Sequence, residues 1–159
     1  MPELIMVCGP NGAGKSTLSH AISSRQNILC LDTDALTANG LSPIAAGKAS
    51  AALAKDMVRK KISFIRESTL TANFDFQLMK EAKEHGFEIM LVYIRLASPE
   101  IALNRVLARV QKGGHDVPAG DVIRRFHRSL ANLPRAIALA DSCIILDNTG
   151  RRFVLVNDG

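Results

Sequence analysis

Aromatic residues are scarce in this chain. Among its 159 residues there is no tryptophan, one tyrosine and six phenylalanines, so aromatic residues make up 4% of the sequence. Proteins that bind single-stranded nucleic acid stack the bases on aromatic side chains, and this chain has few to offer. Its formal net charge of +5 nevertheless suits a polyanionic ligand. The composition therefore favours a small anionic ligand and argues against a nucleic-acid partner.

Cysteine is also rare. Cys8, Cys30 and Cys143 are far apart in the sequence, and each lies in an apolar run that is typical of a buried strand. We therefore expect reduced thiols in the core rather than disulfides. No second cysteine or histidine stands at metal-ligand spacing from any of them, which argues against a metal or redox site.

Long apolar runs are absent too. No segment approaches the roughly 20 uninterrupted apolar residues of a membrane-spanning helix. An apolar strand already begins at Leu4, which leaves no room for a signal peptide. We expect a soluble, cytoplasmic protein with no membrane partner.

Short apolar runs alternate with longer segments of helical period along the whole chain. The predicted strands are Leu4–Cys8, Ile28–Leu31, Ile62–Ile65, Phe87–Arg95, Cys143–Leu146 and Phe153–Val156. The predicted helices cover about Lys15–Ser24, Pro43–Lys60, Phe74–His85, Pro99–Val110 and Asp121–Leu139, with a break near Pro134. This alternation predicts a single three-layer α/β domain over residues 1–159, with a mostly parallel sheet of five to six strands.

A phosphate-binding loop lies between the first strand and the first helix. The segment Gly9-Pro10-Asn11-Gly12-Ala13-Gly14-Lys15-Ser16 matches G-x-x-x-x-G-K-[ST] at every position. Its small residues let backbone N–H groups wrap a β-phosphate, and the helix start adds positive potential. We expect Lys15 to reach the β- and γ-phosphates, Ser16 to ligate Mg²⁺, and Thr17 to stand near the α-phosphate. The predicted cradle for ATP is completed by Gly9, Asn11, Gly12, Ala13 and Gly14.

Polar residues follow the second predicted strand. Asp32 and Asp34 come directly after it, and the carboxyl ends of parallel strands form the ligand-binding edge of such sheets. Asp34 is the candidate base that accepts the proton of a substrate hydroxyl. Alternatively, Asp32 or Thr33 only caps the next helix.

The third predicted strand ends in a second polar group. Glu67 and Thr69 would bind hydroxyls of a substrate, or Glu67 pairs with Arg66 or with a surface lysine. Arg66 itself is unusual in an apolar strand, and it marks either a sheet edge or a substrate contact. Farther on, Asp147-Asn148-Thr149-Gly150 predicts a turn or an adenine contact.

Arginines accumulate on two predicted helices joined by a glycine-containing loop. Arg105, Arg109, Arg124 and Arg125 are candidates to neutralise the transferring phosphoryl group, or they form an ordinary solvated face. His115, in the loop, would contact the substrate or only stabilise a turn. Residues from about 99 to 133 are therefore predicted to form a helical lid over an anionic site.

Five segments together resemble the zeta toxin family, over nearly the whole chain. They are Gly-Pro-Asn-Gly-Ala-Gly-Lys-Ser-Thr, Asp32-Thr33-Asp34, Glu67-Ser68-Thr69-Leu70, Gly113-Gly114-His115-Asp116-Val117-Pro118 and Asp147-Asn148-Thr149-Gly150. The resemblance implies a kinase-like P-loop fold with strand order 2-3-1-4-5, in a variant shorter than the well-studied toxins. It also implies phosphorylation of UDP-N-acetylglucosamine or a related UDP-amino sugar at the 3′-hydroxyl, and an antitoxin partner.

The resemblance assigns roles to individual residues. Lys15 would contact the ATP phosphates, Asp34 would be the base, and Glu67 and Thr69 would hold the acceptor. Arg105 or Arg109 would reach the phosphates, and the second lid arginine of the family falls near His115. Arg124 or Arg125 would take its place here.

The sequence thus predicts an ATP- and Mg²⁺-dependent phosphotransferase that acts on a hydroxyl of a small molecule. Two alternatives remain open. A nucleotide-dependent regulatory ATPase would use the same loop to control a protein partner, although the N-K-x-D guanine reader of GTPase switches is absent. A polynucleotide 5′-kinase would share the loop and the base, and the low aromatic content argues against it.

Overall fold

A six-stranded sheet with helices on both faces organises the chain in a computed structural model. The structure describes residues 1–31, 33–114 and 116–156, without the side chains of residues 34 and 35. The strands are β1 (Glu3–Cys8), β2 (Leu29–Leu31), β3 (Phe64–Ser68), β4 (Glu88–Arg95), β5 (Ser142–Asp147) and β6 (Val154–Leu155). The helices are α1 (Lys15–Gln26), α2 (Thr33–Ala38), α3 (Pro43–Arg59), α4 (Asn73–Glu84), α5 (Pro99–Gln111) and α6 (Ala119–Leu139).

The strand order is β2-β3-β1-β4-β5-β6. The first five strands are parallel, and β6 pairs with β5 in antiparallel orientation. This confirms the predicted α/β fold and the strand order 2-3-1-4-5. In the register of β1 with β3, Cys8 stands opposite Ser68. The loops that leave these two strands therefore start side by side.

Two apolar clusters cover the two faces of the sheet. Alternate residues of a strand point to opposite faces. On β1, Leu4 and Met6 pack in the cluster that includes buried residues of α3 and α4. Ile5 and Val7 pack in the cluster that includes residues of α1 and α5 and the first half of α6. Because both faces are covered, the two central strands, β1 and β4, are apolar except at their ends, as is usual for parallel sheets.

Helix α6 runs without interruption across Pro134, so the predicted break is wrong. Proline removes one backbone donor from the helix. Leu133 and Ala136, on either side of it, pack into the same apolar cluster, and this packing offsets the lost hydrogen bond. None of the helices in the described ranges is both long and apolar enough to cross a lipid bilayer.

The three cysteines have three different environments. Cys8 is completely buried, and this burial raises the pKa of its thiol far above the ordinary value. Cys30 is half-buried and Cys143 is exposed, so the prediction of a buried core thiol is wrong for Cys143. The reason is that β6 pairs only with Leu146 and Asp147 at the end of β5, which leaves the start of β5 open.

A buried polar network crosses the face of β3. Arg66 Nε donates to Asp75 Oδ1 at 2.9 Å, and Ser68 Oγ donates to Asp75 Oδ2 at 2.5 Å. The Arg66 guanidinium also donates to Ser50 Oγ at 3.2 Å. Since β3 lies between β2 and β1, the prediction that Arg66 marks a sheet edge is wrong. Arg66 is tolerated inside because its charge is paired with a buried carboxylate.

We predict that Asp75→Asn lowers the free energy of unfolding by roughly 3–5 kcal/mol, because it leaves the Arg66 charge buried without a counter-ion. Urea unfolding followed by circular dichroism would measure this. Asp56→Asn is the control, since the Asp56–Lys60 pair is exposed and should contribute less than about 1 kcal/mol. A loss below about 1 kcal/mol for Asp75→Asn would contradict a structural role for the network.

Candidate active site

Glycine is required at two positions of the phosphate loop. A Cβ on Gly9 would stand 2.4 Å from the Ile94 carbonyl oxygen, because the loop leaves β1 directly against β4. Gly14 has a φ of +95°, and a Cβ there would stand 2.8 Å from Asn148 Nδ2. The contact at Gly9 is with backbone and cannot be relieved by a side-chain rotation, while at Gly14 the left-handed φ is the stronger constraint. The loop can keep this path only with glycine at these positions.

The loop ends at an uncapped helix start. Gly14 is the N-cap of α1, and no side chain there accepts a hydrogen bond from the first turn. Helix N-termini carry unsatisfied N–H groups that attract anions. Lys15 Nζ donates to the carbonyls of Gly9 and Pro10, each at 3.0 Å, which holds the ammonium over the loop. The predicted phosphate cradle thus has the donors and the positive charge that it needs.

Ser16 meets a carboxylate from the neighbouring strand. Its Oγ donates to Glu67 Oε1 at 2.9 Å, so a hydroxyl and a carboxylate oxygen lie together beside the phosphate loop. Mg²⁺ prefers oxygen ligands of this kind and is commonly held by one or two protein groups plus phosphates. These two residues fit the predicted cation.

A cavity of about 560 Å³ joins the phosphate loop to the ends of β2 and β3 and to α5. It contains most of the predicted site residues: Asn11, Gly12, Gly14, Lys15, Ser16, Thr17, Glu67, Thr69, Arg105 and Arg109. Thr33, Ser68 and Val117, which lie within the segments that resemble the zeta toxin family, also line it, and Ala108 lines it without any sequence signal. Gly9 and Ala13 are buried beneath the loop and do not line the cavity.

The other predicted residues are placed differently or are not described. Arg124 is exposed and pairs with Asp121 at 2.8 Å, and neither Arg124 nor Arg125 lines the cavity. Asp34 lies in α2, but its side chain is outside the described part of the structure. Asp32 and His115 also lie outside the described residues. The roles assigned to these five residues stay predictions.

Arg105 joins the phosphate loop to the loop after β5. Its guanidinium donates to the Gly12 carbonyl at 3.2 Å and to the Asn148 carbonyl at 2.5 Å. It also reaches the carbonyls of Thr149 and Gly150, at 3.1 and 3.3 Å. The structure therefore shows Arg105 as an anchor of the site, and its contact with a phosphate stays a prediction. Sequence reasoning missed the anchor because backbone carbonyl partners leave no signal in a sequence.

The segment Asp147–Gly150 forms the predicted turn. Asp147 Oδ1 accepts a hydrogen bond from the Thr149 N–H at 2.8 Å, and Asn148 Nδ2 donates to the Ala13 carbonyl at 2.9 Å. Hydrogen bonds from the Thr149 side chain and backbone, and then from Arg95, lower the pKa of Asp147 to about 2. The turn is thus fastened to the phosphate loop, and an adenine contact stays a prediction.

Thr69 is positioned by its neighbours in the chain and by Asn132 of α6, which the sequence did not single out. The next residue, Leu70, has a φ of +62°, its N–H donates to Ser68 Oγ at 2.8 Å, and its carbonyl accepts from Asn132 Nδ2 at 2.8 Å. Thr69 Oγ1 and Thr71 Oγ1 share a hydrogen bond of 2.9 Å. The strained backbone at Leu70 is held by partners from β3 and α6, directly after Thr69 in the cavity wall.

Asn11 carries an unsatisfied polar atom. Its Oδ1 is buried and has no hydrogen-bond donor among the described residues, and the residue lines the cavity. Buried polar atoms in proteins nearly always have partners. A bound ligand or water is the natural partner of this side chain.

Ligand spacing in the sequence indicated no metal cluster around a cysteine, but the fold brings three candidate ligands together. His20, Cys30 and Glu67 offer ligand atoms that all lie within 4.8 Å of one another. They come from α1, β2 and β3, so their positions in the sequence conceal the cluster.

We predict that Asp147→Asn lowers the free energy of unfolding at pH 7 by about 1–2 kcal/mol, since one pKa unit corresponds to about 1.4 kcal/mol and the carboxylate is partly solvated. A pKa below the ordinary 3.8 means that the carboxylate stabilises the folded state above about pH 4. This stabilisation is lost as the pH falls through the interval from about 4 to about 2. The wild-type and variant stabilities should therefore converge over that interval, and a constant difference would contradict the assignment.

Comparison with solved structures shows the same fold elsewhere. A structure from the PezAT chromosomal toxin-antitoxin system of Streptococcus pneumoniae matches with a TM-score of 0.74 and 19% identity, over 97% of this chain and 71% of that chain. Shikimate kinase from Acinetobacter baumannii, in complex with shikimate, matches with a TM-score of 0.57 and 15% identity, over 100% of this chain and 86% of that chain. These likenesses confirm a P-loop kinase fold of the kind that the zeta toxin resemblance implies.

Sequence comparison finds a relative of higher identity. An uncharacterized protein of Haemophilus influenzae is 40% identical over 127 residues, which cover 77% of this chain and 90% of that protein. A family model described as an AAA domain matches residues 4–133. The chain therefore belongs to the AAA domain family.

Proposed function

We propose that this protein is a kinase that transfers the γ-phosphate of ATP to a hydroxyl group of a small molecule. One observation carries the proposal: the same cavity is lined by the phosphate loop, by Glu67 and Thr69 at the end of β3, and by Arg109 of α5. The cavity thus continues past the phosphate loop to hydroxyl and carboxylate groups that could bind a second substrate. Polar groups opposite the loop leave room for a second substrate next to the terminal phosphate.

The phosphate loop forms the donor half of the site. Backbone N–H groups from Gly12 to Lys15 would cradle the β-phosphate, and Lys15 would move from its carbonyl partners to the β- and γ-phosphates. Ser16 would hold Mg²⁺ directly, with Glu67 nearby. When bound, the cation neutralises charge on the phosphate oxygens.

The ends of β2 and β3 form the acceptor half. Glu67 and Thr69, and His115 from the loop after α5, would bind the acceptor. Thr33 lines the cavity and Asp34 is the next residue of α2, which supports Asp34 as the base. The hydroxyl oxygen of the acceptor would form a bond to the γ-phosphorus while the bond between that phosphorus and the bridging oxygen breaks. ADP then leaves, and the hydroxyl proton passes to the Asp34 carboxylate.

Arginines of the lid, residues from about 99 to 133, would stabilise the transferring group. Arg109 lines the cavity and is the first candidate. Arg105 already binds four carbonyls around the loop, so it would orient the phosphates from that position. Arg125 would contact the transferring phosphoryl group, and Arg124 the nucleotide, only if α6 moves toward the cavity. Such closure would exclude water from the reaction.

For the acceptor we propose a UDP-amino sugar as the first compound to test, on the strength of the sequence resemblance. One structural relative belongs to a toxin-antitoxin system, and this supports a protein partner that restrains the kinase. We also propose that the protein acts in the cytoplasm, where both the acceptor and the protein partner would be found.

We predict that Asp34→Asn lowers kcat by about 10²–10⁴, because the variant lacks the general base while ATP binding is kept. Lys15→Ala should weaken ATP binding as well as turnover. The assay incubates the protein with Mg-ATP and a panel of sugars, nucleotide sugars and a 5′-hydroxyl oligonucleotide, and detects products by mass. Asp56→Asn is the exposed control and should keep full activity.

The outcomes separate the candidate functions. Phosphorylated sugar or nucleotide sugar supports the proposal. Transfer to the oligonucleotide end would replace it with a polynucleotide kinase. Tight ATP binding with no transfer to any acceptor, and with Asp34→Asn equally inert, would replace it with a regulatory ATPase.

We also predict that Arg109→Ala lowers kcat by about 10³, since an arginine on the transferring phosphoryl group contributes roughly 10³–10⁵ in rate. Arg128→Ala, on the exposed surface of α6, is the matched control and should stay within about twofold of wild type. Steady-state kinetics with the acceptor found above would measure both. Equal activity of the two variants would remove Arg109 from the mechanism.

A further inference from the structure

A histidine, a cysteine and a glutamate converge beside the phosphate loop, and we infer that they form a binding site for Zn²⁺. The ligand atoms of His20, Cys30 and Glu67 all lie within 4.8 Å of one another. Cys30 Sγ and Glu67 Oε2 are 3.9 Å apart. The metal-binding inference does not depend on the proposed function.

The sheet places two of the ligands on one face. In the register of β2 with β3, Cys30 stands opposite Ile65. Glu67 is two residues farther along β3 than Ile65, and residues two apart in a strand point to the same face. Both side chains therefore lie on the face that α1 covers through Leu18 and Ile22.

The helix adds the third ligand. Ser16 and His20 are four residues apart on α1, so they lie on one side of the helix. Ser16 Oγ donates to Glu67 Oε1 at 2.9 Å, which shows that this side of α1 faces Glu67. His20 is exposed while Cys30 and Glu67 are half-buried, so a cation can reach the cluster from solvent.

The donor set selects the metal. One imidazole nitrogen, one thiolate and one carboxylate match the ligands that Zn²⁺ takes in proteins, with a fourth position left open. Mg²⁺ and Ca²⁺ prefer oxygen, and a thiolate ligand disfavours them. In a tetrahedral zinc site the ligand atoms stand about 3.5 Å apart. The observed separations of up to 4.8 Å require only a small inward movement of exposed or half-buried side chains.

Glu67 belongs to two sites at once. Its Oε1 accepts from Ser16, and its Oε2 lies next to Cys30 Sγ. Zn²⁺ on the cluster would draw the carboxylate away from Ser16 and from an acceptor. Zinc would then inhibit phosphotransfer, and this regulatory consequence, unlike the site itself, rests on the proposed function.

The site is tested by metal binding without nucleotide. The reduced, metal-free full chain is titrated with Zn²⁺ against a chromophoric chelator, and with Co²⁺ to detect the thiolate-to-metal charge-transfer band. We predict one Zn²⁺ per chain. Cys30→Ser should remove the band and weaken Zn²⁺ binding at least about 100-fold, and His20→Ala should weaken it at least about tenfold.

Two residues provide matched controls. Cys143→Ser removes an exposed thiol and His127→Ala an exposed histidine, neither of which belongs to the cluster. Both variants should bind Zn²⁺ like wild type. No uptake by the wild-type chain, unchanged affinity in Cys30→Ser, or loss of binding in Cys143→Ser would each overturn the proposed site.

A measurement on the wild-type chain tests the site even if the variants misfold. Zn²⁺ should slow alkylation of Cys30 at least about tenfold, because a metal-bound thiolate is a poor nucleophile, and should leave Cys143 unaffected. Peptide mass spectrometry reads the two thiols in one sample. Equal rates at Cys30 with and without Zn²⁺ would overturn the site.

The regulatory consequence has its own readout. Zn²⁺ should inhibit the wild-type kinase reaction, and Cys30→Ser should resist this inhibition. Zinc uptake without inhibition would overturn the regulation alone. Absence of phosphotransfer in the metal-free protein would overturn the proposed function and leave the binding result unchanged.

Discussion

The guanidinium of Arg105 joins three parts of the chain: helix α5, the phosphate loop and the loop after β5. From α5 it donates to the Gly12 carbonyl in the phosphate loop and to the carbonyls of residues 148–150 after β5. Asn148 adds a bond to the Ala13 carbonyl. A loop rich in glycine has many alternative conformations, and these contacts select one of them. The shape of the cavity depends on this loop conformation, because residues of the loop line the cavity.

The two halves of the site are held by different means. The half proposed to bind ATP depends on backbone conformation, since a Cβ on Gly9 would collide with the Ile94 carbonyl and Gly14 has a left-handed φ of +95°. The half proposed to bind the acceptor depends on side chains: the buried Arg66–Asp75 pair holds Ser68, and Ser68 Oγ in turn accepts a hydrogen bond from the Leu70 N–H. Thr69 lies between these anchored residues. Substitutions remote from the cavity can therefore displace the acceptor groups while the phosphate loop stays intact.

Local patterns in the sequence predicted local structure well. They failed where distant residues determine whether a side chain is tolerated or buried. The phosphate loop was recognisable because its residue types are needed for its own conformation. Pro134 and Arg66 were misread because a proline or a charge inside an element is tolerated only when distant residues pack around it or pair with it. Cys143 was misread because the burial of a strand depends on how far its neighbour extends, and β6 pairs only with the end of β5.

The sequence by itself determined the fold class, the phosphate loop and the lining residues that lie within recognisable motifs. These follow from periodicity and from short-range geometry, which neighbouring residues set together. Only the tertiary structure decided that Arg105 anchors the loop and that His20, Cys30 and Glu67 meet beside Ser16. Such contacts depend on strand order, register and helix orientation, which arise from the packing of the whole chain and not from the spacing of the residues that touch.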